Sequence, residues 1–110
     1  QVVNNLVENG IRYSAQQTGK KQVTFITGIT PQERPYLEIQ DQGKGIMKEH
    51  LQQLFEPFFT TEHKGTGLGL YLSREISQAN HAQLDYIASK KNEGACFRIT
   101  FAHHKRQILQ

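Results

Sequence analysis

Gly65-Thr66-Gly67-Leu68-Gly69-Leu70 is the stretch on which the reading of this chain turns. Its three glycines alternate with other residues and lead straight into an apolar pattern of helical period, carrying Leu68, Tyr71, Leu72 and Ile76 inward. Glycine costs about 1 kcal/mol relative to alanine inside a helix, so Gly67 and Gly69 at a helix start suggest a ligand. Free N–H groups and the positive end of the helix dipole meet at such a start and make an anion site. No Gly-Lys-Ser/Thr follows, which excludes a Walker loop. No strand leads directly into it, which excludes a Rossmann fingerprint. Taken alone, the hexapeptide also fits a flexible loop ahead of a weak helix start.

Three further motifs lie upstream. Asn5 and Asn9 are four residues apart on a helical pattern, so they stand one above the other, and Arg12 and Tyr13 extend that face. Alone, the pair reads as a polar solvent face. Asparagine is nevertheless a mediocre helix former, and Asn4, Asn5 and Asn9 cost propensity without providing a cap. An amide oxygen is a neutral Mg²⁺ ligand that binds the ion weakly unless phosphates share it. Arg12 is placed to meet phosphate oxygens.

Asp41-Gln42-Gly43-Lys44-Gly45-Ile46 leaves a strand edge. Its glycines let the backbone approach a flat ligand. Asp41 can accept a hydrogen bond from the exocyclic amine of adenine, worth roughly 1.5–3 kcal/mol, whereas guanine would turn a carbonyl oxygen toward it. On its own the segment reads as a plain Asp-x-Gly turn. Phe55-Glu56-Pro57-Phe58-Phe59-Thr60-Thr61 sets three phenylalanines beside a proline. It reads in part as a small satellite core that anchors a polar loop, leaving residues 60–66 free to close over a nucleotide. Together the four motifs describe a site for ATP and its magnesium ion.

The rest of the chain arranges these motifs. Val2, Val3, Leu6, Val7 and Ile11 form one stripe of a helix over residues 1–17. No N-cap precedes it, so Gln1 reads as a cut through or just before a helix. Gly19-Lys20 ends it. Residues 21–30 and Tyr36–Ile39 predict strands of an antiparallel hairpin over 21–41, which delivers Asp41 to its loop. Residues 47–54 suggest a short helix, and a longer one begins near Thr66 or Gly67 and ends near Asn80. Leu84–Ile87 and Cys96–Phe101 predict two more strands around a turn at Lys90–Gly94, before a frayed tail from His103. This order predicts an α+β, two-layer sandwich with one mixed sheet covered by helices on one face.

Composition narrows the function. At 110 residues the chain is one small domain. No apolar run approaches the roughly 20 residues that span a bilayer, and no signal-peptide pattern opens it. Cys96 is the single cysteine, which forbids an internal disulfide and fits a reducing compartment. Five histidines and one cysteine lack zinc-ligand spacing. The net charge of +3 comes from dispersed pairs such as Lys20-Lys21, Lys90-Lys91 and Lys105-Arg106. Those pairs read as solvated surface, not a nucleic-acid stripe, and a mild positive excess suits a nucleoside triphosphate.

The four motifs resemble the N, G1, F and G2 boxes of the catalytic, ATP-binding domain of two-component sensor histidine kinases. That domain shares the Bergerat (GHKL) fold with gyrase, Hsp90 and MutL, and the resemblance covers essentially the whole chain. Phe55 through Thr61, the very short lid, and Gly65 through Arg74 look most similar to the nitrogen-regulation branch. Within it they resemble the sensor kinases that control type IV pili (PilS-like). The resemblance implies Asn9 as the Mg²⁺ ligand with Asn5 assisting, and Asn5, Asn9 and Arg12 as the catalytic set. It puts Arg12 and Tyr13 on phosphate and on ribose or base. It puts Asp41 on the adenine amine, with Gly43, Gly45 and Ile46 shaping the pocket. It adds Thr60, Thr61 and Lys64 to the nucleotide contacts and wraps Gly65, Thr66, Gly67, Leu68 and Gly69 around the triphosphate.

In the gyrase and Hsp90 branches a glutamate stands at the Asn5 position and activates water. An amide cannot take that proton, which favours a kinase over an ATPase. Three positions depart from the family pattern. Gly10 replaces a usual alanine and is expected to loosen its helix. Glu62 stands where relatives carry a basic residue near the γ-phosphate, with His63 or Lys64 as substitutes. Cys96 stands where relatives place a small or hydroxyl residue under the adenine, which implies that it lines the base pocket.

No histidine here carries the phosphoacceptor pattern of His, then Glu or Asp, then Pro; His50 is followed by Leu51-Gln52-Gln53. The resemblance therefore implies a fragment of a longer sensor, with a leading strand and helix of the domain ahead of Gln1. The expected partners are the parent's own dimerisation domain and a response regulator of the NtrC type, with no nucleic acid. The parent is expected to be an inner-membrane homodimer that holds this domain in the cytoplasm. Two other readings remain: a non-catalytic ATP-binding switch, for which Glu62 speaks, and a basic nucleic-acid module, for which only the pI speaks.

Overall fold

Helix α1 (Val2–Thr18) carries the first motif. It stops at Gly19, which adopts the left-handed conformation at φ 78° and donates its N–H to the Ala15 carbonyl. The computed structural model describes residues 1–60, 67–88 and 94–102. Within them α1 is followed by β1 (Val23–Ile29), β2 (Pro35–Asp41), a 3₁₀ turn (Lys48–Gln53), α2 (Gly69–Ala79), β3 (Gln83–Ile87) and β4 (Cys96–Thr100). The expected turn at Lys90–Gly94 falls mostly, and the tail from His103 wholly, outside the described residues.

The strands lie in the order β1-β2-β4-β3 and every neighbouring pair is antiparallel. The expected mixed sheet is thus corrected to an antiparallel one among the described residues. The physical reason is the crossover through α2. It returns β3 in the same direction as β2 but one strand-width too far away, and β4 folds back to fill the gap. A parallel relation exists, but no parallel ladder.

One face of this sheet packs against the helices. Strand alternation turns Ile39 of β2, Leu84 of β3 and Phe97 and Ile99 of β4 to that side. They meet Leu6 of α1 and Leu54 to form the core. The opposite face carries Tyr36, Glu38, Cys96 and Arg98. There Arg98 pairs with Glu38 and lies 4.3 Å over the Tyr36 ring, while Tyr36 covers Gly28, its cross-strand neighbour.

On both helices small residues take some of the most buried positions. On α1 the fully buried line is Leu6, Gly10 and Ser14, with Val2, Val3 and Val7 only partly packed and Ile11 outside the core. On α2 the buried residues are Ser73 and Ser77, Leu70 packs against the core, and Leu72 remains 46% exposed. Small residues are what allow the close approach. A Cβ on Gly10 would stand 2.7 Å from Val23 Cγ1 and 3.3 Å from Asp41 Cβ. Gly10 is therefore a close-packing residue, a role added to the loosening of the helix expected from its sequence.

Candidate functional site

A cavity of about 290 Å³ lies between α1, the helix-facing side of the sheet, the loop after β2 and the start of α2. That is near the lower end of the roughly 300–1,000 Å³ of small-molecule sites. Ile39, Leu54, Leu70 and Phe97 give it apolar walls, and Asn9, Arg12, Tyr13, Asp41 and Lys44 bring polar groups.

Asp41 is the last residue of β2 and only 5% exposed. Its Oδ1 accepts hydrogen bonds from the Gly43 N–H at 2.9 Å and the Ala95 N–H at 3.0 Å. Neither bond uses Oδ2. Burial raises the carboxyl pKa above its ordinary value, and the two backbone donors act against that rise. A side chain on Gly43 would press on Tyr13 and Asp41, and one on Gly94 would collide with the Asp41 backbone. Gly45 takes φ 79°, a left-handed conformation that glycine adopts without strain.

The loop after Asp41 is tied from two sides. Gln42 donates its N–H to Ser14 Oγ at 2.8 Å. Tyr86, whose ring meets Phe97 edge-on at 5.7 Å, accepts a hydrogen bond at its phenol oxygen from the Ile46 backbone. Burial, followed by the nearby Asp41 and Cys96 charges, raises the Tyr86 pKa.

On α1, Asn9, Arg12 and Tyr13 all line the cavity. Arg12 Nη2 donates to Asn9 Oδ1 at 2.7 Å, and its guanidinium carbon lies 5.5 Å from the Tyr13 ring centre. Asn5, one turn earlier, is not among the lining residues. Its Nδ2 donates to Ser73 Oγ at 3.2 Å and joins α1 to α2. The described residues contain no group of three or more His, Cys, Asp or Glu side chains that could hold a metal. A cation here would meet a neutral amide oxygen on the protein side.

Gly67 and Phe58 close the base of the polar loop, with the Phe58 N–H on the Gly67 carbonyl at 2.8 Å. Gly67 takes φ 75°, and a Cβ there would strike the Phe58 backbone. Leu68 is the N-cap of α2 and Gly69 its first residue. Gly67 and Gly69 both line the cavity, as does Thr60. A Cβ on Gly69 would meet nothing within 4 Å among the described residues, so none of them demands glycine there. Thr61, Lys64, Gly65 and Thr66, together with Glu62 and His63, lie outside the described residues.

The three phenylalanines of the upstream motif do not form one cluster. Phe55 packs edge-on against Phe97 with Arg74 4.4 Å over its ring, and Phe59 meets His50 at 5.4 Å. Phe58 is 73% exposed. His50, Met47, Ala95 and Phe97 line the cavity without having been singled out in the sequence. Only Phe97 had a readable signal, its place in a strand opposite Ile39. Cys96 does not line the cavity. Its neighbours Ala95 and Phe97 do, and alternation turns Cys96 to the far face beside Glu38. The expectation that it lies under the base is thereby overturned.

A helix bearing asparagines, an Asp-x-Gly-x-Gly loop and a glycine-led helix start, built on an α/β sandwich, define an ATP-binding domain of the Bergerat class. The profile of the family described as histidine kinase-, DNA gyrase B-, and HSP90-like ATPase matches residues 1–105, and the chain belongs to that family. It is 53% identical over 107 residues to the sensor protein kinase PilS of Pseudomonas aeruginosa, an alignment spanning 96% of this chain and 20% of PilS. The catalytic domain of the histidine kinase ThkA superposes with a TM-score of 0.72 at 25% identity, over 92% of this chain and 63% of that one. Full-length ShkA, solved in complex with AMPPNP, shares the fold with a TM-score of 0.73 at 21% identity, over 91% of this chain and 20% of ShkA. The chain thus spans about one fifth of PilS. No helix among the described residues is long and apolar enough to cross a membrane.

Proposed function

We propose that this chain is the catalytic domain of a two-component sensor histidine kinase, a fragment of a longer protein. It binds ATP with Mg²⁺ and transfers the γ-phosphoryl group to a histidine on the parent's own dimerisation domain. From there the group passes to an aspartate of an NtrC-type response regulator. The similarity to the sensor protein kinase PilS, of which this chain matches about one fifth, is the ground for proposing a longer parent, with a membrane anchor, a homodimeric state and this domain in the cytoplasm.

The observation that carries the reading is Asp41. Buried in the wall of the cavity, it has one oxygen fixed by two backbone donors and the other uncommitted to them. A purine lying over the paired Ile39 and Phe97 presents its exocyclic amine to that second oxygen. The triphosphate then runs toward the start of α2, where the positive end of the helix dipole attracts it and Gly69 brings no side chain. Arg12 exchanges Asn9 for phosphate oxygens, and the released Asn9 oxygen serves Mg²⁺, with Asn5 supporting the helix from Ser73. When bound, the ion neutralises charge on the phosphates. Catalysis is then positioning: Thr60, Thr61, Lys64 and the Gly65–Gly69 run hold the phosphates while the target histidine attacks in line. No carboxylate stands at Asn5 to activate water.

The test is to mix the domain with a matching dimerisation domain, Mg²⁺ and γ-labelled ATP. Acid-labile phosphohistidine is expected on the dimerisation domain. ATP binding without transfer would leave a nucleotide-dependent switch, and absence of binding would end the proposal.

A further inference from the structure

We infer that Ser14 is a positioning residue for base recognition, the link through which α1 sets the loop that presents Asp41. The inference rests on the ATP reading above. Ser14 is 0% exposed, and its Oγ accepts the Gln42 N–H at 2.8 Å. Strand β2 ends at Asp41, so Gln42 carries the first backbone N–H beyond the strand end, and Ser14 supplies its acceptor. Gly10, one turn earlier, packs toward Asp41 Cβ, and Tyr13 packs against Gly43. Residues 10, 13 and 14 of one rigid helix therefore hold residues 41–43 from below. Ala95 fixes the same carboxylate from the sheet side.

The same helix carries Asn9 and Arg12. Ser14 thus sets the separation between the base end of the site and its phosphate end. Held in place, Asp41 Oδ2 accepts from one amine, and a guanine carbonyl opposite it is repelled. A loop released from Ser14 lets the carboxylate shift toward the guanine N1–H and amino group, which are donors. Loss of the hydroxyl therefore erodes discrimination as well as affinity.

The experiment titrates ATP and GTP, each with Mg²⁺, into the wild-type chain, Ser14→Ala, Ser14→Thr, Asp41→Asn and the Ser14→Ala/Asp41→Asn double variant. Ser14→Ala is expected to weaken ATP roughly five- to twentyfold, the loss of one buried hydrogen bond, and to lower the ATP-to-GTP preference with it. Ser14→Thr restores both. In the Asp41→Asn background Ser14→Ala changes the preference no further. If Ser14→Ala does not fold by circular dichroism, Ser14→Cys, with a sulfur that is a weak acceptor, is read the same way. An unchanged ATP-to-GTP ratio, or an equal loss without Asp41, overturns the inference while leaving ATP binding intact. A wild-type chain that binds neither nucleotide overturns the ATP reading and this inference together.

Discussion

Replacing Asp41 by asparagine separates the two duties of one side chain. In the wild-type fold Oδ1 accepts from the Gly43 and Ala95 N–H groups. Both partners are donors, so asparagine keeps its carbonyl oxygen there and is forced to place its amide nitrogen where Oδ2 stood. The loop survives, but the base now meets a donor where it needs an acceptor. Losing a hydrogen bond to a charged group costs about 1.5–3 kcal/mol, which is roughly a 10- to 150-fold rise in Kd for ATP. Stability moves the other way. Burial raises the folded carboxyl pKa above its ordinary value of 3.8, so the native state holds its proton more tightly than the unfolded chain. Stability on this account falls as pH rises through that window, and the cost of the buried charge is fully present at neutral pH. Asp41→Asn removes that cost. Calorimetric titration with ATP, paired with a thermal melt at pH 7, should therefore show much weaker binding in a domain that melts no lower than wild type. Binding within twofold of wild type would refute the assignment of the base to Asp41, and a collapse of the melting temperature would refute the account of its two bonds.

Three further outcomes follow from the same geometry. The affinity for ATP should fall on acidification toward the Asp41 pKa, which burial raises above its ordinary value, and Asp41→Asn should remove the part of the dependence that Asp41 contributes in the same titrations. Gly10→Ala gains about 1 kcal/mol of helix propensity but drives a methyl to 2.7 Å from Val23 Cγ1; chemical denaturation should show a net loss of roughly 1 kcal/mol, recovered in Gly10→Ala/Val23→Ala. Cys96 is buried on the far face, where burial and Glu38 push its thiol up to about 11, so maleimide labelling at pH 8 should be slow and equally slow with and without ATP; protection by nucleotide would return Cys96 to the base pocket.

The parts of this molecule that declare themselves in the sequence are those whose signal is local. The hairpin that ends in Asp41 follows from alternation and from the Pro31–Pro35 turn, and β1 pairs with β2 in that way from Val23↔Asp41 to Ile29↔Pro35. Asn9, Arg12, Tyr13, Asp41, Gly45, Ile46, Thr60, Gly67 and Gly69 line one cavity, as the motifs and the resemblance implied, whereas Gly43 and Leu68 are not among its lining residues. What escaped depends on tertiary partners. Ser14, Ser73 and Ser77 are buried because they lie against another element or bond back to their own helix, and hydrophobic periodicity ranks such residues as solvent-facing. That is why Leu72 was expected inside. Cys96 was misplaced by analogy although alternation with Phe97 and Ile99 already turned it away from the core. The sheet order was hidden because nothing in a β-α-β sequence says whether a later strand will slip between the two. Asn5 looked equivalent to Asn9 by spacing, yet one turn of helix moves it from the cavity to Ser73.

The decisive observation is a map of backbone amide shifts in the 110-residue chain as ATP and Mg²⁺ are added. Convergence of the motifs on one ligand predicts saturable shifts concentrated at Asn9, at residues 41–46 and at residues 67–70, with the far face around Arg98 and Tyr36 quiet. Shifts confined to that far face, or spread without saturation, would contradict it.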